Sequence, residues 1–259
     1  MTLLLFLIFG LLLISSNARD LEKKSLNPRI INGRKALPGE LPYQVSLQTT
    51  SNFPFCGGSI LNENYVLTAA HCVVGHNSIT MKVVAGTIDL LQPKSTYLVD
   101  KIISHIEYDP SRSWKNDIAL IKVKTPFIMS NEIQKIALPK LDTIVRENEK
   151  ALVSGWGRIW LGGPSSNNLQ LVNISIASQT VCNNIYQPLG FDIYNTQICA
   201  YDTQLKKGAC HGDSGGPLTV NGSLQVGIVS WSKGCAQIDY PSVYTRVSKF
   251  LNWIEKNAI

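Results

Sequence analysis

Three stretches of this 259-residue chain hold side chains that together could make a hydroxyl nucleophilic. A serine stands in the glycine-rich turn Gly212-Asp213-Ser214-Gly215-Gly216-Pro217, a histidine in Thr68-Ala69-Ala70-His71-Cys72, and an aspartate in Asn116-Asp117-Ile118-Ala119-Leu120. A serine hydroxyl keeps its proton at neutral pH, but an imidazole with a pKa near ~6.5 can accept that proton and return it to a leaving amine. A buried carboxylate holds the imidazole in the right tautomer and stabilises the cation formed in transit. Glycines beside the serine let backbone N–H groups, here those of Gly212 and Ser214, face a developing oxyanion; loss of one such donor costs on the order of 10²–10³ in rate. Asp213 has a separate use, because a carboxylate in that turn could pair with a new α-amino group on Ile30. Singly, each residue is ordinary: His before Cys often packs in a core, and Asp before an apolar strand often caps a turn. In this order and these local contexts, they point to acyl transfer.

Such residues need a rigid frame, and the chain supplies short strands. Tyr43 to Gln48, Met81 to Val84, Ile118 to Val123, Leu169 to Ile176 and Leu224 to Trp231 alternate or run apolar. Gly, Pro, Asn and Ser punctuate them at short intervals, as in Leu161-Gly162-Gly163-Pro164-Ser165-Ser166. Many short strands with turns between them imply an all-β sandwich or barrel. Only the tail reads as helix, with Ser248 as its cap and Phe250, Leu251, Trp253 and Ile254 on one face. No internal repeat or low-complexity tract is present, and Lys140 to Lys150 is the best candidate for a linker between two halves.

Residues 1–18 read as a secretory signal: Leu3 to Ile14 is apolar, and Ser16-Asn17-Ala18 offers small residues for cleavage. The apolar run is shorter than the roughly 20 residues that span a bilayer, and no second long one follows, so no membrane span is expected. Arg19 to Arg29 is polar and switches abruptly to Ile30-Ile31-Asn32-Gly33, which reads either as a propeptide cut after Arg29 or as a short disordered arm. Six cysteines (Cys56, Cys72, Cys182, Cys199, Cys210, Cys235) suit an oxidising compartment. Spacing alone selects none of their fifteen pairings, and the lack of a C-x-x-C pair argues against zinc. The formal charge is +6, and it falls to +4 without residues 1–29, which carry four basic and two acidic groups. That charge is dispersed, whereas nucleic-acid binding wants a clustered basic stripe. No nucleic-acid partner is expected.

Over essentially all of residues 30–259 the chain resembles the chymotrypsin/trypsin family of secreted serine proteases. The resemblance is carried by Ile30 to Gly33, Cys56 to Ser59, Leu67 to Cys72, Asp117 to Leu120, Ser154-Gly155-Trp156-Gly157, Cys210 to Pro217 and Ser230-Trp231. Within the family, Lys35 to Glu40 and Tyr43 to Leu47 look most like arthropod digestive enzymes, such as group 3 mite allergens. The resemblance implies two packed antiparallel β-barrels, about 30–140 and about 141–259 with the terminal helix, and an active site in the cleft between them. It implies His71, Asp117 and Ser214 as catalytic residues, Gly212 and Ser214 as oxyanion donors, and an Ile30–Asp213 salt bridge after cleavage at Arg29. It also implies the pairings Cys56–Cys72, Cys182–Cys199 and Cys210–Cys235. Ser230 would stand behind Asp117, and Ser230-Trp231-Ser232 would pair with substrate backbone as an added strand. Protein or peptide substrates, an activating protease, protein inhibitors and a monomer follow as expectations, with no cofactor.

The chain departs from the family pattern at the specificity pocket. Where trypsins carry an Asp six residues before the nucleophile, this chain has Gly208, followed by Ala209, and serines (Ser232, Ser242) replace the usual wall glycines. A buried guanidinium without a charge partner is costly, so the expected substrate side chain is neutral and small to moderate, or aromatic if the serines rotate aside. His211 is expected at the pocket mouth or as a solvated rim residue. The loop after Ala85, with one acid, predicts no calcium site. Of two glycosylation sequons, Asn221-Gly222-Ser223 in a hairpin turn is the better site, and Asn173-Ile174-Ser175 falls in a strand. The alternative to an active endopeptidase is a secreted protease-fold binding protein with little or no turnover.

Overall fold

The structure is a computed structural model that describes residues 30–141 and 143–259. The signal and propeptide expectations, including Arg29, lie outside the described residues. Seven strands come first: β1 (Arg34–Lys35), β2 (Gln44–Thr49), β3 (Pro54–Ile60), β4 (Tyr65–Thr68), β5 (Met81–Ala85), β6 (Ser95–Ser104) and β7 (Ala119–Val123). Six follow: β8 (Lys150–Gly155), β9 (Gln170–Ile176), β10 (Gln197–Tyr201), β11 (Pro217–Val220), β12 (Leu224–Trp231) and β13 (Ser242–Arg246). Strands β2-β3-β4-β7-β6-β5 form a closed antiparallel barrel. The second barrel runs β9-β10-β13-β12-β11-β8 and closes through β8–β9. Closure leaves neither set with an unpaired edge. The all-β, two-barrel expectation is met.

Each barrel is filled by its own apolar residues, Val45, Leu47, Leu67 and Ile121 in the first, Val153, Ile174, Ile198 and Leu218 in the second. The chain's ends cross over. β1 pairs with β9 of the second barrel, Arg34 opposite Leu171, while Phe250 and Ile254 of the tail pack into the core of the first. Two buried polar pairs also stitch the seam: Ser59 Oγ donates to Gln225 Oε1 at 2.7 Å and Ser154 Oγ to Gln44 Oε1 at 2.7 Å. Hydrogen bonds so shielded from water are costly to break, because each would strand a buried polar atom.

Two helical details differ from the sequence reading. The terminal helix, Leu251–Asn257, starts from Phe250 without a side-chain cap, and Ser248 sits one turn earlier in a 3-10 segment, Val247–Lys249. A second helix, Gln179–Tyr186, was not expected. Ser178 caps it by accepting from Val181 N, and Cys182 and Tyr186, one turn apart, face inward. All three cystine bridges, Cys56–Cys72, Cys182–Cys199 and Cys210–Cys235, are formed.

Candidate active site

His71 lies in a single 3-10 turn, Ala70–Cys72, tied by the Cys56–Cys72 bridge to β3. Asp117 comes from the loop entering β7. Asn116, just before it, holds a left-handed φ of 58°, a conformation Asn tolerates better than most residues. The Asp117 side chain is fully buried and engaged on both oxygens. Oδ1 accepts His71 N at 2.9 Å; Oδ2 lies 2.7 Å from His71 Nδ1 and accepts Ser230 Oγ at 2.5 Å. Thr245 Oγ1 donates to the Asp117 carbonyl at 2.7 Å. Both Ser230 and Thr245 belong to the second barrel, so that barrel fixes an aspartate supplied by the first. With Nδ1 facing the carboxylate, Nε2 is the nitrogen left to receive a proton.

Ser214 is held against the same region by its turn. Gly57 N of β3 donates to the Ser214 carbonyl at 2.7 Å, and Gly215 N to Val229 O at 2.9 Å. Gly215 has φ 76°, and a Cβ there would lie 2.2 Å from Thr68 Oγ1 and 3.2 Å from Cys72 Sγ. The serine turn thus wedges directly onto the residues flanking His71, an approach only glycine permits. Among the described residues, Ser214 Oγ makes no hydrogen bond to His71, whose Nε2 lies 3.7 Å from Cys72 Sγ. Such links commonly tighten only when substrate arrives.

The amides of the turn divide into two sets. Those of Asp213, Gly215 and Gly216 bond to Cys210 O, Val229 O and Asp213 O. Those of Gly212 and Ser214 find no protein acceptor among the described residues. Two free, fixed donors flanking a serine can receive an anionic oxygen. Asp213 itself points away from solvent. It is fully buried, Oδ1 accepting Gly157 N at 2.8 Å and Oδ2 Cys210 N at 2.9 Å. Burial pushes its carboxyl up to about 7 against the pull of those two amides. No cation faces it among the described residues. Ile30, also fully buried, packs with Ala209 nearby, and Ile31 pairs with Gly208.

Beside Ser214 opens a cavity of about 250 Å³ lined by Ala209, Val229, Ser230, Trp231, Ser242 and the Cys210–Cys235 bridge, among others. Among the described residues no carboxylate lines it, and His211 is its one titratable side chain. Ser242 is buried, whereas Ser232 is exposed with its hydroxyl donated to Gly234 O at 2.5 Å. Ser232 therefore lines the rim with its hydroxyl already engaged. Gly208 is not among the lining residues. Its φ is 146°, it bridges to Ile31, and an added Cβ would meet Ala236 at 3.7 Å. Any other residue there would be strained. The cavity also has a wall that the sequence reading missed: Trp114, which stacks on Trp231 with ring centroids 5.6 Å apart. Cys56, His71 and Cys72, and likewise Cys210, His211 and Cys235, cluster as metal ligands would, but every sulfur in them is bonded as cystine.

A family model described as Trypsin matches residues 30–254. The chain is 41% identical over 230 residues to Chymotrypsin-2 of Vespa crabro, covering 89% of this chain and 100% of that protein. It is 40% identical to Trypsin Blo t 3 of Blomia tropicalis, over 89% of this chain and 86% of the other. It is also 40% identical to Trypsin-1 of Astacus astacus, over 89% and 100%.

Proposed function

The chain belongs to the trypsin family of serine endopeptidases, and from that premise we propose that it is secreted as a zymogen, cut after Arg29, and hydrolyses peptide bonds through Ser214, His71 and Asp117. The observation that carries this reading is the buried Asp117 carboxylate, hydrogen-bonded at 2.7 Å to the half-buried His71, beside a serine turn with two amides that find no acceptor among the described residues. In the first half-reaction Ser214 Oγ attacks the scissile carbonyl while His71 Nε2 takes the hydroxyl proton, and Asp117 stabilises the imidazolium. The carbonyl oxygen, now anionic, moves toward the amides of Gly212 and Ser214. His71 returns the proton to the leaving amine, leaving an acyl-Ser214 ester. Water then enters by the same steps in reverse, releasing the acid and restoring the hydroxyl.

Activation follows from Asp213. Among the described residues its buried carboxyl faces no cation, and cleavage after Arg29 would turn the nitrogen of the equally buried Ile30 from an amide into an ammonium. Pairing the two would lock the Gly212–Ser214 turn. For the side chain preceding the scissile bond, a cavity without a carboxylate supports a neutral, small to moderate or aromatic residue over Lys or Arg. The relatives' names divide between chymotrypsin and trypsin, so they leave this preference to the cavity's chemistry. The test is to cleave the purified chain after Arg29, label it with a fluorophosphonate, and profile a peptide library. Labelling at Ser214 with preference for Phe, Leu or Ala is expected. Absence of labelling would favour a binding protein of the same fold, and faster cleavage after Lys or Arg would refute the specificity.

A further inference from the structure

The loop that carries Trp114 is bent unfavourably and held from outside. Ser113 and Trp114, consecutive and both non-glycine, have φ of 49° and 52°. Such backbone persists only where surroundings over-determine it. The restraint comes from the other barrel. Gln197 of β10, 1% exposed, donates Nε2 to the Ser113 carbonyl at 2.7 Å. Asp192 N donates to Ser113 Oγ at 3.1 Å. Gln197 is itself fixed: its Oε1 accepts Tyr194 N at 3.0 Å, and its carbonyl accepts Arg246 Nη2 at 2.9 Å. Trp114, so held, lies on Trp231, whose ring also meets Tyr186 at 4.8 Å and Phe191 at 5.3 Å.

We propose that Gln197 is a positioning residue for substrate recognition: through Ser113 it presses Trp114 onto Trp231 and sets the aromatic wall against which apolar side chains N-terminal to the scissile bond pack. The inference rests on the proposed function, since Trp231 belongs to the segment Ser230-Trp231-Ser232 that the family resemblance implies pairs with substrate backbone. Gln197 touches no reacting atom, so its loss should spare the chemistry. It should raise KM for substrates long enough to reach the wall, because ordering the loop would then fall to the binding step.

The test uses the Arg29-cleaved full chain and two substrates with the same residue before the scissile bond. One is a single-residue ester, the other a tetrapeptide with bulky apolar residues upstream. Gln197→Met keeps the volume and removes both hydrogen bonds, while Gln197→Glu keeps the acceptor for Tyr194 N and serves if the first variant does not fold. Either should lower kcat/KM on the tetrapeptide about tenfold, mainly through KM, leave the ester within about twofold, and diminish the far-ultraviolet dichroism couplet of the stacked indoles. Trp114→Ala should lower the tetrapeptide-to-ester ratio by a similar factor, with Gln197→Met adding nothing further in the double variant. Equal losses on both substrates, no loss on either, or an unchanged couplet would overturn the proposal. If the wild-type enzyme turns over neither substrate, the proposed function has failed, and the couplet, which needs no turnover, still decides whether Gln197 positions Trp114.

Discussion

Removing the charge of Asp213 should change how the uncut chain responds to pH. The carboxyl is fully buried, accepts two backbone amides, and is raised by desolvation from its usual 3.8 to about 7. Between those values the folded chain holds a proton that the unfolded chain has released, so stability falls as pH rises and levels off above about 7. A displacement of that size corresponds to about 4 kcal/mol lost in total, a large share of the 5–15 kcal/mol typical of a folded protein (roughly). Asp213→Asn cannot ionise. Its amide group faces one of the two N–H donors, Gly157 N or Cys210 N, and this costs about 1–3 kcal/mol at every pH. The assay is urea unfolding of the uncut chain, in a Ser214→Ala background to prevent self-digestion, from about pH 4 to about pH 8. Wild-type stability minus variant stability should be positive at the acid end and fall by about 4 kcal/mol toward the alkaline end, other titrating groups cancelling. Cleavage after Arg29 should flatten the wild-type curve, because an ammonium on Ile30 lets the carboxyl ionise without penalty. Parallel curves for the two uncut proteins would refute the claim that this buried carboxyl is elevated.

Two further outcomes are expected. Ser230→Ala removes a 2.5 Å donor from the buried Asp117 carboxylate, a loss of about 1.5–3 kcal/mol; kcat should fall about ten- to a hundredfold, and an unchanged kcat would show that the hydroxyl plays no part in holding Asp117. In the loop after Ala85, Thr87 Oγ1 donates to Asp89 O and Gln92 O, and Lys94 pairs with Glu132 at 2.6 Å. An ammonium already occupies the neighbourhood of that carboxylate, so neither chelator nor millimolar calcium should move Tm; a rise of several degrees with calcium would contradict this.

Much of the frame was legible because it rests on local signals. Strand alternation and turn residues pointed to an all-β sandwich or barrel, and the family resemblance to two barrels; the close approach of the serine turn, with a Gly215 Cβ 2.2 Å from Thr68 Oγ1, was not read from its glycines. The short helix at Gln179–Tyr186 escaped notice because eight residues hold barely two turns of periodicity. Its signals were present in the Ser178 cap and the one-turn spacing of Cys182 and Tyr186. Gly208 was placed at the pocket only by the family resemblance; its left-handed φ of 146° left no sign in the sequence beyond the glycine itself. Trp114 left no periodic trace at all. It matters through a stack on Trp231, far away in sequence, and through left-handed backbone that no residue type at 113 or 114 announces.

The tail's return to the first barrel has a consequence for the order in which this protein comes to life. Phe250 and Ile254 complete that barrel's core, and the Ile259 carbonyl accepts Tyr65 Oη at 2.6 Å. A ribosome working from the N-terminus therefore releases the piece that finishes the first barrel only after it has made the whole of the second barrel. A prematurely terminated chain carries His71 and Asp117 but lacks the plug for its own core, and one stopped before residue 214 also lacks the proposed nucleophile. Truncation products would thus be unstable before they could act, a safeguard written into translation order.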